Sequence, residues 1–217
     1  MQSLQKIYQA DQRLLFFLLC TFLLGFSLLS KELLITEEVY LESLGDQMGV
    51  DRVKVMLKLQ AEWEWVGYAL VPVLYLLKLI LIALCLNVGT LLFNYKVPFH
   101  KLFRLALIAE TVFLVPILLK LLWFLLVQTS FTLDDFQYFY PLSMLNFFES
   151  GSVAKWWVYP LQLANVFEVA YWLLLAYGLH RLLKTHYDQA LTLIFVSYLP
   201  GLILWVTVVT FLTVSMG

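Results

Sequence analysis

The stretch WVGYALVPVLYLLKLILIALCLNVGTLLF, residues 65–93, contains one formal charge, Lys78. A bilayer hydrocarbon core about 30 Å thick needs about 20 apolar residues when crossed as a helix. In lipid the backbone finds no water, so only a helix or a closed barrel satisfies its N–H and C=O groups. A barrel strand is short and alternating. This run is long and solid, which makes it a transmembrane helix.

Four further runs read the same way: residues 14–30, 105–127, 156–179 and 190–214. The first is not a cleaved leader. It exceeds the about 7–15 apolar residues of a signal h-region and ends in Ser30-Lys31-Glu32, without a small-x-small cleavage site. Composition agrees: 62% of residues are hydrophobic and 13% charged, against about 45–50% and about 25% in soluble domains. Mean hydropathy is +0.85, and the net charge of −1 argues against nucleic acid, which requires a basic surface. The expectation is an all-α polytopic membrane protein, one membrane domain over residues 1–217 with five transmembrane helices and outer loops at 31–64 and 128–155.

Basic residues orient it. Residues 1–13, 94–104 and 180–189 hold 7 Lys/Arg, namely Lys6, Arg13, Lys96, Lys101, Arg104, Arg181 and Lys184. The alternate segments hold 5, namely Lys31, Arg52, Lys54, Lys58 and Lys155, against 11 acids. The positive-inside rule puts the N-terminus in the cytoplasm and the C-terminus outside.

In the outer loop 31–64, apolar residues from Leu33 to Met48 recur at helical spacing. Gly45 and Gly49 interrupt them, and a second pattern (Val50, Val53, Leu57, Ala61) runs toward the second span. Two short amphipathic helices are expected there, either lying at the headgroups or docking another protein. The loop 128–155 is rich in aromatics, with Asp134 and Asp135 among them. It reads as an interfacial belt or as a binding lid. Its candidate partner-docking residues are Asp134, Asp135, Tyr138 and Tyr140.

Four ionisable residues lie within the spans: Lys78, Glu110, Lys120 and Glu168. A charge at mid-bilayer costs at least about 2.5–3.5 kcal/mol. Lys120 is near enough to the outer end to snorkel to the headgroups. Lys78, Glu168 and Glu110 share a layer by residue count, with Asn87 and Asn165 as polar neighbours. Either Lys78 pairs with Glu168 to fix helix packing, Glu110 being the alternative partner, or the group lines a polar path for protons or substrate. Pro72, Pro116, Pro160 and Pro200 in the spans fit broken transporter helices and ordinary spanning helices alike.

Catalytic constellations are missing. His180 and His186 are not at the i, i+4 spacing of a zinc helix. Ser150-Gly151-Ser152 is no nucleophile elbow, and Glu37-Glu38 has no companion histidine. Cys20 and Cys85 lie in separate apolar runs without CxxC spacing. No phosphate-cradling glycine loop occurs. No enzyme activity, cofactor or metal is expected.

The segment Phe167-Glu168-Val169-Ala170-Tyr171-Trp172, continuing through Leu173 to Tyr177-Gly178-Leu179 and then Lys184, Ala190 and Tyr198, resembles the Yip1-domain membrane proteins. The lead-in before the second span, residues 49–65, is similar to theirs as well. The resemblance implies a five-helix membrane domain without catalytic residues. Its eukaryotic members act in vesicle traffic and bind Rab-type GTPases; here the segment before the first span is only residues 1–13, so GTPase binding is not implied and a bacterial inner membrane is. The expectation is a non-enzymatic membrane subunit or scaffold of a transport- or secretion-related complex, in contact with lipids and other membrane proteins. The alternative is a small permease using the intramembrane Lys and Glu residues.

Overall fold

The computed structural model describes residues 11–149 and 151–216; Lys6 and Ser150 lie outside them. The helices are α1 (Gln12–Leu33), α2 (Glu37–Met48), α3 (Val50–Leu92), α4 (Phe99–Ala109), α5 (Leu114–Leu126), α6 (Leu133–Tyr138), α7 (Lys155–Leu163), α8 (Val166–Leu183) and α9 (Tyr187–Met216). Short 3-10 turns occupy Glu110–Phe113 and Met144–Phe147. Among the described residues five segments are long and apolar enough to cross a membrane: Gln12–Leu33, Val50–Leu92, Phe99–Leu126, Val166–Leu183 and Tyr187–Ser215.

The basic connections gather at one end of the bundle. Gln12 donates to the carbonyl of His100 at 3.3 Å, and the Tyr95 hydroxyl donates to Thr185 Oγ1 at 3.3 Å. We call this the basic end. At the opposite, acidic end Lys31 of α1 donates to both carboxylate oxygens of Glu64 on α3, at 2.7 and 2.5 Å. The Tyr68 hydroxyl donates to the same carboxylate.

Residues 31–64 fold into α2 and the first turns of α3, which enters the second span unbroken for 43 residues. Gly49 sits between them at φ 82°, a left-handed conformation that costs glycine little.

The expected fourth span, residues 156–179, is not one helix. It breaks at Ala164 and Asn165, and the span-length piece is α8, Val166–Leu183. Asn165 causes the break. Its Oδ1 accepts the Glu168 N–H at 2.8 Å as a helix N-cap, and its Nδ2 donates back to the carbonyls of Gln162 at 2.9 Å and Leu163 at 3.0 Å. A side chain that bonds the local backbone this way favours a helix start over a helix interior. The freed main-chain groups are met by an incoming loop. Met144 N–H donates to Ala164 C=O at 2.9 Å and Val166 N–H to Leu142 C=O at 3.3 Å, forming an antiparallel bridge between Ser143 and Asn165. Irregular backbone is tolerated at membrane depth only when paired like this.

The core lies among α1, α3, α4, α8 and α9, with Leu79, Leu86, Leu102, Ala106, Leu175 and Leu193 within it. α3 and α9 approach closely through small residues. A Cβ on Gly89 would sit 2.4 Å from the Ser197 Cβ, and one on Gly201 would sit 2.6 Å from Cys85 Sγ. Apolar residues pack these helices no better than lipid does, so close backbone approach is what favours their association. The outward face of every span-length helix carries exposed Leu, joined by Val or Phe, as a lipid-facing surface requires.

Candidate site: a polar layer at mid-depth

Counted at 1.5 Å per residue, Lys78 lies about 21 Å from the basic end of α3, and Glu168 about 22 Å from that of α8. Glu110 and Tyr198 lie about 17 Å, and Tyr171 about 18 Å, from the same end by the same count. These five residues fall in one layer about 17–22 Å from the basic end, inside a hydrocarbon core of about 30 Å.

Lys78 pairs with Glu110, not with Glu168. Its Nζ donates to Glu110 Oε2 at 2.8 Å and stands 4.8 Å from the centre of the Phe113 ring. The physical reason is connectivity. α3 and α4 are joined by a short turn and pack directly on each other, whereas α8 packs on α4 and α9. Glu110 is buried, and its Oε1 has no hydrogen-bond partner.

Glu168 is buried on the other side of the layer. Its Oε1 accepts from Trp172 Nε1–H at 2.9 Å and from the Tyr198 hydroxyl at 2.8 Å. Between the two carboxylates lies Tyr171, fully buried, its hydroxyl without a partner. The Tyr171 ring is 5.1 Å from Phe113 and 5.5 Å from Tyr198, so ring contacts join the halves. Sequence reading missed Tyr171, Trp172 and Tyr198 as members. The available signal was the i, i+4 spacing of Glu168 and Trp172, which places them on one helix face.

The remaining candidates go elsewhere. Asn87 is half-buried about 14 Å nearer the basic end than Lys78 and does not join the layer; its carbonyl accepts from Thr90 Oγ1 at 2.9 Å. Asn165 is spent on the helix break. Lys120 does not reach for headgroups. Its Nζ donates to the Phe136 carbonyl at 2.6 Å and lies 4.1 Å from that ring's centre, because the loop 128–155 folds over it. Asp135 closes a capping box on α6, its Oδ2 accepting from both the N–H and Oγ1 of Thr132 at 2.9 Å. Asp134 is exposed, and Tyr138 and Tyr140 are half-buried. Burial, with the carboxylates of Glu168 and Glu110 adding to it, pushes the Tyr140 phenol up to about 12.

Two grooves flank the loop 142–146. One, of about 740 Å³, lies between α5 and residues 135–148 and includes Asp135, Tyr138 and Trp123. The other, of about 820 Å³, lies between the α7–α8 break and α9. Among the described residues no group of three His, Cys, Asp or Glu side chains is placed to hold a metal ion.

An all-helical chain with five helices able to span, apolar on the outside and polar at mid-depth, belongs to the class of integral membrane proteins. No family model, curated protein or solved structure matches it.

Proposed function

We propose that this chain is a non-enzymatic subunit or scaffold of a larger membrane complex. One observation carries the reading. With Lys78 at the midplane, the hydrocarbon edge falls near Tyr68, and α3 continues for about 27 Å beyond it. On this projection Val55, Leu59 and Trp63 are 61%, 54% and 67% exposed. They stand four residues apart on one helix face, flanked by exposed Lys54, Lys58 and Glu62. An apolar stripe held above the membrane in water has the character of a protein-docking surface. The basic end supports a cytoplasmic N-terminus, in which case the stripe faces outward. The resemblance of residues 167–198 to Yip1-domain proteins supports a place in transport or secretion.

The test is a photo-crosslinking amino acid at Leu59, used in native membranes, together with Leu59→Arg. A partner membrane protein should be crosslinked at Leu59 and lost from mild-detergent preparations of Leu59→Arg, while the chain's own stability is unchanged. If Leu59→Arg keeps every companion of the parent chain, the reading fails.

The second reading, a small permease, is favoured by Glu110 Oε1 and the Tyr171 hydroxyl, buried at mid-depth with no partner. Intramembrane carboxylates and broken helices are transporter features. The layer runs across the membrane plane rather than through it, so conduction requires a second arrangement of the helices. Vesicles containing the chain should then show an ion or solute flux that Glu110→Gln abolishes, and equal flux from both forms would exclude this reading.

A further inference from the structure

The groove of about 820 Å³ beside the helix break has a mostly apolar wall, including Pro160, Leu199, Leu202 and Ile203. Its polar members are nearly all committed. Asn165 uses its whole amide on the break. Thr207 donates to the Ile203 carbonyl at 2.8 Å, and Asn146 donates to the Tyr140 carbonyl at 2.7 Å. Two buried residues of the lining keep an open hydrogen-bonding position. Ser143 Oγ, in a residue only 2% exposed, has no partner. Both bonds to Glu168 end on Oε1, which leaves Oε2 open. Both residues line the groove, Ser143 through its bridge to Asn165 and Glu168 in the turn that Asn165 caps.

We propose that this groove binds a lipid-soluble, chain-bearing hydroxy compound, a long-chain alcohol. Its hydroxyl donates to Glu168 Oε2 and exchanges a hydrogen bond with Ser143 Oγ, and its chain lies along the α9 wall. Three observations select this chemistry. The volume falls within the about 300–1,000 Å³ of small-molecule sites. The open positions call for a hydrogen-bond donor, which a fatty-acid carboxylate cannot offer to Glu168. By the same count the α9 wall of the groove runs from about 18 Å at Leu199 to about 30 Å at Thr207 from the basic end, mostly inside the hydrocarbon, where a neutral hydroxyl is far cheaper to bring than an ammonium ion. The proposal is independent of both the scaffold and the permease readings.

The experiment uses the full chain in phosphatidylethanolamine/phosphatidylglycerol nanodiscs with diazirine-bearing hexadecanol. Probes of the same chain ending in a carboxylate, an amine or a methyl group serve for comparison. Labelled peptides are mapped by mass spectrometry. The alcohol should label residues 160–166 and 199–206 at least about tenfold above the methyl- and carboxylate-ended probes, the factor expected of one charge-assisted hydrogen bond. Leu202→Trp, which fills the groove, should abolish that labelling. Ser143→Ala and Glu168→Gln should each lower it several-fold. Ser143→Ala removes no bond made in the structure, so it keeps the test valid if Glu168→Gln fails to fold. Equal labelling by the methyl-ended probe, stronger labelling by the amine, or indifference to Leu202→Trp would each overturn the proposal.

Discussion

Lys78 and Glu110 form an ion pair at 2.8 Å whose halves have opposite surroundings: the lysine side chain is 49% exposed and the glutamate side chain 2%. The lysine therefore lies on the bundle's outer face and turns its ammonium inward, onto a carboxylate that the core encloses. A pair at this depth is held by mutual need, because neither charge has water to return to.

Lys78→Met leaves Glu110 enclosed without its cation. Breaking a buried pair typically costs about 3–5 kcal/mol, less where the survivor sheds its charge by taking up or losing a proton. Lys78→Met and Glu110→Gln should each lower stability against detergent denaturation, and the double variant should recover much of the loss. The control cycle pairs Lys78→Met with Glu168→Gln, which should be near additive. A large coupling with Glu168 and none with Glu110 would reverse the assignment.

Glu168 depends on two donors from different helices, Trp172 one turn along α8 and Tyr198 on α9. A hydrogen bond to a charged group contributes about 1.5–3 kcal/mol. Tyr198→Phe keeps the ring contact with Tyr171 and removes only the hydroxyl, so it should cost about that much. Glu168→Leu removes the acceptor, and in its background Tyr198→Phe should cost clearly less. Equal costs in the two backgrounds, measured by unfolding in mixed micelles, would show that the bond does not hold α9 to α8.

Gly89 and Ser197 mark the closest approach of α3 and α9. Gly89→Ala forces a Cβ into the Ser197 side chain, and overpacking of this kind costs about 1–3 kcal/mol. Ser197→Gly should restore most of the stability of Gly89→Ala. A loss that Ser197→Gly leaves untouched would place the strain elsewhere.

The cytoplasmic N-terminus is tested by surface labelling. In a background without Cys20 and Cys85, Lys58→Cys should react in intact cells with an impermeant thiol reagent, while Lys101→Cys should react only after the membrane is opened. Both positions are exposed and lie at opposite ends of the bundle. The reverse pattern would invert the orientation.

The residue count that put Lys78 opposite Glu168 ran from Trp156 through one continuous helix. Asn165 breaks that helix, yet Glu168 keeps its depth; what the count did not supply is which helices touch. The stretch 156–179 is the least apolar of the spans, but what breaks it is one amide side chain that finds three local backbone partners and a loop that arrives to pair the opened turn. Neither the turn nor the loop's arrival is visible in hydropathy. Thr132-Leu133-Asp134-Asp135, by contrast, was readable as a capping box, and reading it would have moved Asp135 from a docking role to the start of α6.

Lys120 teaches the same lesson. Its distance from the helix end matched a headgroup contact, but the loop 128–155 folds back and puts the Phe136 carbonyl and ring within its reach. A charged side chain takes the nearest adequate acceptor, and which acceptor is nearest depends on chain segments far apart in sequence.

The sequence by itself determined that the chain is helical, with five runs long and apolar enough to cross a membrane, because the cost of dehydrating a backbone is set residue by residue and the apolar runs meet it without reference to their neighbours. It also placed Lys78, Glu110 and Glu168 at one depth, since depth along a helix is nearly a matter of counting. Only the tertiary structure decided which carboxylate the lysine meets, that Tyr171, Trp172 and Tyr198 complete the layer, and that a groove opens beside Glu168. Those outcomes follow from which helices touch and how each is rotated, and both are set by packing between segments that the linear order does not bring together.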